Sequence, residues 1–234
     1  MIKFFRKIRH GLMNENKMGK YFKYAIGEIL LVVIGILIAL GVNNWNEKRK
    51  EKNKEVVYLN RLMSNLSYDV SLYKQIMQRD SLLLESMTNL EDGLTSNVLL
   101  DKENITELVT GYRFTSNKTT IDNLISSGQI EVLRSHYLVE KIFMYYRTVE
   151  NIDNGTDEAI SNNNRNTFGP LIINSGYFKN SEIDLYTLKK DTSLLTSIRF
   201  KKFLLDNQLK LYNGQYQLAQ ELIEDIRNEL NYID

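Results

Sequence analysis

The stretch Tyr24–Val42, YAIGEILLVVIGILIALGV, limits what this chain can be more than any other feature. From Ile29 to Leu40 every residue is Ile, Leu, Val, Ala or Gly. About 20 apolar residues in a helix cross the hydrocarbon layer of a bilayer, ~30 Å thick. A core helix of that length would show polar relief, and a secretory signal would have a shorter apolar core and a small-x-small cleavage site. Here the run ends in Asn43, Asn44 and Trp45, followed by KRKEKNK. The reading is an uncleaved single-span anchor, a transmembrane helix over residues 24–44. Tyr21, Tyr24 and Trp45 stand where interfacial aromatic anchors belong.

Basic residues set the expected orientation. Lys3, Arg6, Lys7, Arg9, Lys17, Lys20 and Lys23 precede the span against Glu15 alone, whereas the lysines after it are interleaved with Glu47, Glu51 and Glu55. The lysine and arginine bias places the N-terminus in the cytoplasm and the remainder across the membrane. Three parts follow: a basic cytoplasmic segment (1–23), the span (24–44) and a helical periplasmic domain (45–234). In the first part, Ile2, Phe5, Ile8 and Leu12 recur every three or four residues among basic ones. That segment is either an amphipathic helix held by anionic membrane lipid or only a topology signal.

Glu28 is the one charge inside the span, and such a group is usually turned to a partner or a water-filled cavity. Helical spacing puts Glu28, Val32, Gly35, Ala39 and Val42 on one stripe, with Gly35 and Ala39 as a small-xxx-small pair that lets two backbones approach. Three readings stand: Glu28 reaches headgroups or Lys23 at the cytoplasmic edge, it joins copies in a homo-oligomer, or it relays protons.

The rest of the chain is rich in helix formers. Its single proline, Pro170, favours long uninterrupted helices. Leu59, Leu62, Leu66, Val70, Tyr73, Met77, Leu84 and Met87 recur at the helical period, with a gap at Asp80–Ser81. This predicts one helix leaving the membrane as a stalk of about 65 Å, broken at Asp92–Gly93. Short helices follow from Asp101 to Val109 and from Thr120 to Ser126, separated by the loop GYRFTSNKTT. A second long helix starts near Tyr137 (Leu138, Ile142, Tyr145 or Tyr146, Val149) and runs toward NIDNGTDEAISNNNRN until Gly169–Pro170 stops it. A third covers Leu188–Asn231. Weak period-two patterning suggests strand near Leu171–Ile173. The expected fold is all-α: one transmembrane helix, then an elongated bundle of three long helices and a few short ones.

Chemistry is sparse. There are no cysteines, so thiolate metal sites and disulfides are excluded. A net charge of +1 gives no case for nucleic acid. His10 and His136 fall on opposite sides of the expected membrane and cannot share a metal. Asp153, Asp157 and Glu158 around Gly155 lack the ligand spacing of an EF-hand and read as a solvated surface. The tyrosines, among them Tyr145, Tyr146, Tyr212 and Tyr216, read as core packing with hydroxyls at the rim. No catalytic, cofactor or metal residues are expected. Two functions stand: a structural or interaction protein of the envelope that binds itself or serves a larger complex, and a periplasmic ligand-sensing module acting through a separate partner. A proton-motive accessory subunit using Glu28 is a smaller third.

The opening MIKFFRKIRHGLMNENK, the run KYFKYAIGEILLVVIGILIAL and the exit NNWNEKRK resemble a family of small single-span membrane proteins from Bacteroidota, of unknown function. LISSGQIEVL extends the likeness more loosely. The resemblance implies an inner-membrane protein of a Gram-negative cell with a periplasmic helical domain. It implies no activity.

Overall fold

A computed structural model of the chain describes residues 18–96, 109–174, 178–179, 182–183, 190 and 192–233. The chain divides into two compact units, Met1–Lys54 and Glu55–Asp234.

Helix α1 covers Met18–Thr95. In the first unit its side chains are solvent-facing throughout the apolar run; Leu31, Leu37 and Ile38 are 67%, 61% and 62% exposed. Among the described residues nothing covers this surface, and it is long and apolar enough to cross a membrane. The amphipathic segment expected at the N-terminus lies outside the described residues.

The second unit is built on α1 from Glu55 and on the long helix α6, Thr192–Ile233. Between them come α2 (Thr119–Ser126), a 3₁₀ turn (Ile130–Val132) and a helix in five pieces. Its pieces are α3 (His136–Ile152), a π turn (Asp153–Asp157), α4 (Glu158–Asn163), a second π turn (Asn164–Phe168) and α5 (Gly169–Asn174). Among the described residues the only strands are the two-residue pieces β1 (Phe178–Lys179) and β2 (Glu182–Ile183), paired antiparallel. The fold is all-α, with three long helices and short connecting ones.

Three details of the sequence expectation change. Leu171–Ile173 is helical, not extended. Gly169–Pro170 does not stop the helix. Pro170 has no N–H to donate, but it follows a π turn in which the Gly169 N–H already reaches back to the Asn164 carbonyl, so the proline enters a first turn. Asp92–Gly93 likewise lies within α1, which ends at Thr95. The helix expected at Asp101–Val109 lies outside the described residues apart from Val109. The end of α2 is as expected: Gly128 follows it at φ +67°, a conformation that costs an L-residue ~1–2 kcal/mol.

The buried seam of α1 runs through Glu55, Leu59, Leu62, Leu66, Asp69, Tyr73, Ile76, Asp80, Leu83, Met87 and Leu90, with Ser86 and Gly93 buried beside it. The steps alternate four and three without a break, which is the heptad seam of a supercoiled helix. Helix α6 has the same rule through Leu194, Ile198, Lys201, Leu205, Gln208, Tyr212, Gln215, Ala219, Leu222 and Ile226. The interior is divided into two apolar clusters. One holds Leu59–Ile76 of α1, Leu138–Ile152 of α3 and Tyr212–Ile226 of α6. The other holds Leu83–Leu90, Ile160, Phe168 and Leu194–Leu205.

Candidate functional site

Each long helix changes from one apolar cluster to the other at a buried polar residue: Asp80 on α1, Asp157 in the first π turn and Gln208 on α6. Asp157 reaches this level because of the π turn. The steps along its helix run Val149, Ile152, Asp157, Ile160, and the one wide step keeps the acid and the residues after it on the core face. A π turn adds one residue per turn and shifts phase in this way.

The polar layer is knit to an irregular segment that crosses the bundle as a strap, residues 110–118. An unwound backbone next to a core must find partners for its N–H and C=O groups, and here helix side chains supply them. The Thr110 carbonyl accepts from Lys201 Nζ at 2.6 Å and from Asn164 Nδ2 at 3.3 Å. The Tyr112 carbonyl accepts from Gln208 Nε2 at 3.2 Å. The Phe114 N–H donates to Tyr212 Oη at 3.1 Å, and Tyr212 Oη donates in turn to Asp157 Oδ2 at 2.7 Å. Gln208 Nε2 donates to Asp157 Oδ1 at 2.8 Å. Further along, Asp69 accepts from the Ser116 hydroxyl, from the Asn117 N–H at 2.9 Å and from Tyr145 Oη at 2.9 Å. The Phe114 ring stacks on Tyr73, centroids 3.6 Å apart and planes 9° from parallel. On the outside, Arg113 binds Asp153 and lies 3.8 Å from Glu158. Gly111 fits where a Cβ would stand 3.0 Å from Asn164 Nδ2 and 3.1 Å from Ile160 Cγ2.

Burial raises the carboxyls of this region above their ordinary range. For Asp69 desolvation outweighs its three hydrogen bonds, and for Asp157 it outweighs those from Tyr212 and Gln208. Asp80 is pushed up to about 7, first by desolvation and then by the charge of Asp157, against the opposing pull of Lys201. Neither of its oxygens has a hydrogen-bond partner. The phenols of Tyr145 and Tyr212 are raised by burial, then by neighbouring groups.

Sequence reasoning misplaced part of this. Asp157 is 3% exposed, so the NIDNGTDE stretch is not simply a solvated surface. The hydroxyls of Tyr145 and Tyr212 lie inside and bind carboxylates rather than sitting at a rim. On α1 the core register passes through Asp69, Ile76 and Leu83 rather than Val70, Met77 and Leu84, and Asp80 fills the apparent gap. The strict four-three count from Leu59 was the available signal.

The span residues are placed as follows. Val32 is 55% exposed and Trp45 65%; Ala39 is exposed and Glu28 half-buried. A Cβ on Gly35 would meet nothing within 4 Å. Trp45 carries Arg49 over its ring at 5.5 Å. The side chains of Tyr21 and Tyr24 lie outside the described residues, as does His10. His136 begins α3 and is exposed. No group of three or more His, Cys, Asp or Glu among the described residues could hold a metal ion.

No curated protein and no solved structure matches the chain. A family model does match, over residues 28–167, which includes the apolar run, the heptad stripe of α1, the strap and both π turns up to Thr167. The chain belongs to the family of unknown function DUF6090.

Proposed function

We propose that the protein is a membrane-anchored interaction protein of the bacterial envelope. In this reading residues 24–44 span the inner membrane once, the basic N-terminal segment lies in the cytoplasm against lipid, and the helical domain works in the periplasm. It serves there as an assembly element, bound to a second copy or to a larger envelope complex. The observation that supports this best is the uncovered apolar surface of α1, set against a second unit whose polar groups are spent on holding its own strap. A phosphatase that is active only outside the cytoplasm, fused after Asp234, is expected to be active. Activity from a cytoplasm-only reporter at that position reverses the orientation. In-cell crosslinking of the full chain, followed by mass spectrometry, is expected to return self-links or a recurrent membrane partner; isolated monomer alone overturns the assembly role.

A groove favours the second reading, a ligand-sensing module. It has a volume of about 480 Å³ and is lined by the strap residues Phe114–Lys118 together with Asp122, Glu150, Asp153 and Asn154. Its mixed polar wall suits a small polar solute more than an apolar one. A change in the strap's proteolytic protection on adding periplasmic extract fractionated below the size of proteins supports this reading; no change with any fraction counts against it.

A further inference from the structure

The most unusual group in the second unit is Asp80. It is 0% exposed, sits in register on the core seam of α1, and has no hydrogen bond to either carboxylate oxygen. A buried ionised carboxylate in that state is strongly disfavoured, and its polar neighbours are engaged elsewhere. Gln208 and Tyr212 hold Asp157 and the strap, and Lys201 Nζ is bound to the Thr110 carbonyl at 2.6 Å.

We propose that Asp80 is the proton-sensitive latch of the strap: protonated, it leaves Lys201 on the Thr110 carbonyl, and ionised, it draws Lys201 away and loosens residues 110–117.

Shared burial supplies the competition. Lys201 is itself 0% exposed, with its Nζ 5.4 Å from the Phe168 ring centroid. Two charges in a weakly screened interior interact far more strongly than in water, so a carboxylate appearing at Asp80 outbids a neutral carbonyl for the same ammonium. The charged groups acting on Asp80 are Asp157 from the first π turn and Lys201 from α6. Asp157 in turn feels Asp153, with Arg113 of the strap opposing it, and is bound by the titratable Tyr212. Arg79, next to Asp80 on α1, is turned onto the Tyr112 ring at 5.3 Å. Asp157 adds a second reason for movement: two ionised carboxylates at one level repel.

The sign is fixed by linkage. Burial pushes Asp80 up to about 7 with the strap seated, and it returns near the ordinary carboxylate value, ~3.9, once the strap loosens and Lys201 and water reach it. The seated state therefore binds the proton more tightly. Its advantage is full below the ordinary value and shrinks as pH rises, and the loss is complete once pH has passed about 7. A periplasm acidified from outside would seat the strap, and a neutral one would free it.

The chain has no cysteine, so Thr115→Cys on the exposed outer side of the strap accepts a single spin label. In the full-length protein in lipid nanodiscs, the mobile spectral component is expected to grow about threefold or more between about pH 4.5 and about pH 8, then level off. Asp80→Asn, an uncharged isostere, is expected to hold the low-pH spectrum throughout. A label that ignores pH, or an Asp80→Asn protein that keeps the pH response, overturns the proposal. If Asp80→Asn loses its helical circular dichroism, infrared titration of the parent decides. The proposal expects a protonated carboxyl band still present at about pH 5.5 and lost in step with the rise in label mobility. Complete ionisation by about pH 5.5 overturns it.

Discussion

Tyr212 and Asp157 meet at 2.7 Å, hydroxyl to carboxylate, across a junction that exists because the helix carrying Asp157 is wound wide over Asp153–Asp157. The same hydroxyl accepts the Phe114 N–H. One oxygen atom thus ties α6, the π turn and the strap together.

Tyr212→Phe removes that atom and little else. It leaves the Phe114 N–H and one carboxylate oxygen without their partner in a buried place, which costs about 1–3 kcal/mol. Denaturant unfolding of the full chain in mild detergent is expected to show this loss, with Asp157→Asn and the double variant revealing a coupling of about 0.5–3 kcal/mol. Strict additivity would mean the contact carries no energy.

The wide turn itself can be tested by length. Inserting one alanine after Gly155 would stretch the step from Ile152 to Asp157 beyond what the π turn absorbs and rotate all that follows by about 100°, taking Ile160 and Phe168 off the core face, and a large fall in the thermal midpoint is expected. Gly155→Ala keeps the count. Its Cβ would meet nothing within 4 Å, so the change is expected to be neutral or to stabilise by up to ~1 kcal/mol. Equal effects of the two changes would show that phase does not matter here.

The long helices, their order and the apolar span were legible in the sequence because each rests on local periodicity. The candidate site was not, for a physical reason. Asp69, Asp80, Asp157, Lys201 and Gln208 are residue types that usually face water, and a reading weighted by hydropathy moves the register one residue aside at Asp69, to Val70, and carries that offset on to Met77 and Leu84. Only the strap makes those positions sensible, and its partners come from segments far apart in the chain: Thr110 with Lys201, Phe114 with Tyr212, Ser116 with Asp69. The π turns were invisible for a related reason, since one extra residue leaves no compositional mark. LISSGQ, by contrast, announced its own end through Gly128.

Buried and exposed carboxylates should differ sharply when truncated. Asp69→Ala strands the Ser116 hydroxyl, the Asn117 N–H and Tyr145 Oη, and about 3–5 kcal/mol of stability is expected to go with them. Asp206→Ala removes only the exposed pair with Lys210 at 2.6 Å and is expected to change stability by less than about 0.5 kcal/mol. Comparable losses in the two melting curves would refute the role given to Asp69.

In the bilayer, the stripe Glu28–Val32–Gly35–Ala39 is expected to carry self-association. Gly35→Leu and Glu28→Leu should each weaken membrane FRET between labelled copies by the equivalent of about 0.6–2 kcal/mol, while Glu28→Gln, which keeps the hydrogen bond, should nearly preserve it. If both leucine variants associate like the parent, the homo-oligomer is to be abandoned. Intact assembly with lost function in Glu28→Gln would point instead to a proton relay.

The unbroken four-three alternation on α1 and α6 has a bearing on how such a chain can change length. A single inserted residue in either helix turns its downstream half away from its neighbours, whereas a seven-residue unit restores the facing. Because Asp80 and Gln208 mark the same level on both helices, growth on one side of that level must be matched on the other. Paired sevens therefore lengthen or shorten the domain without disturbing either seam, and the polar layer serves as the fixed point from which both helices are measured.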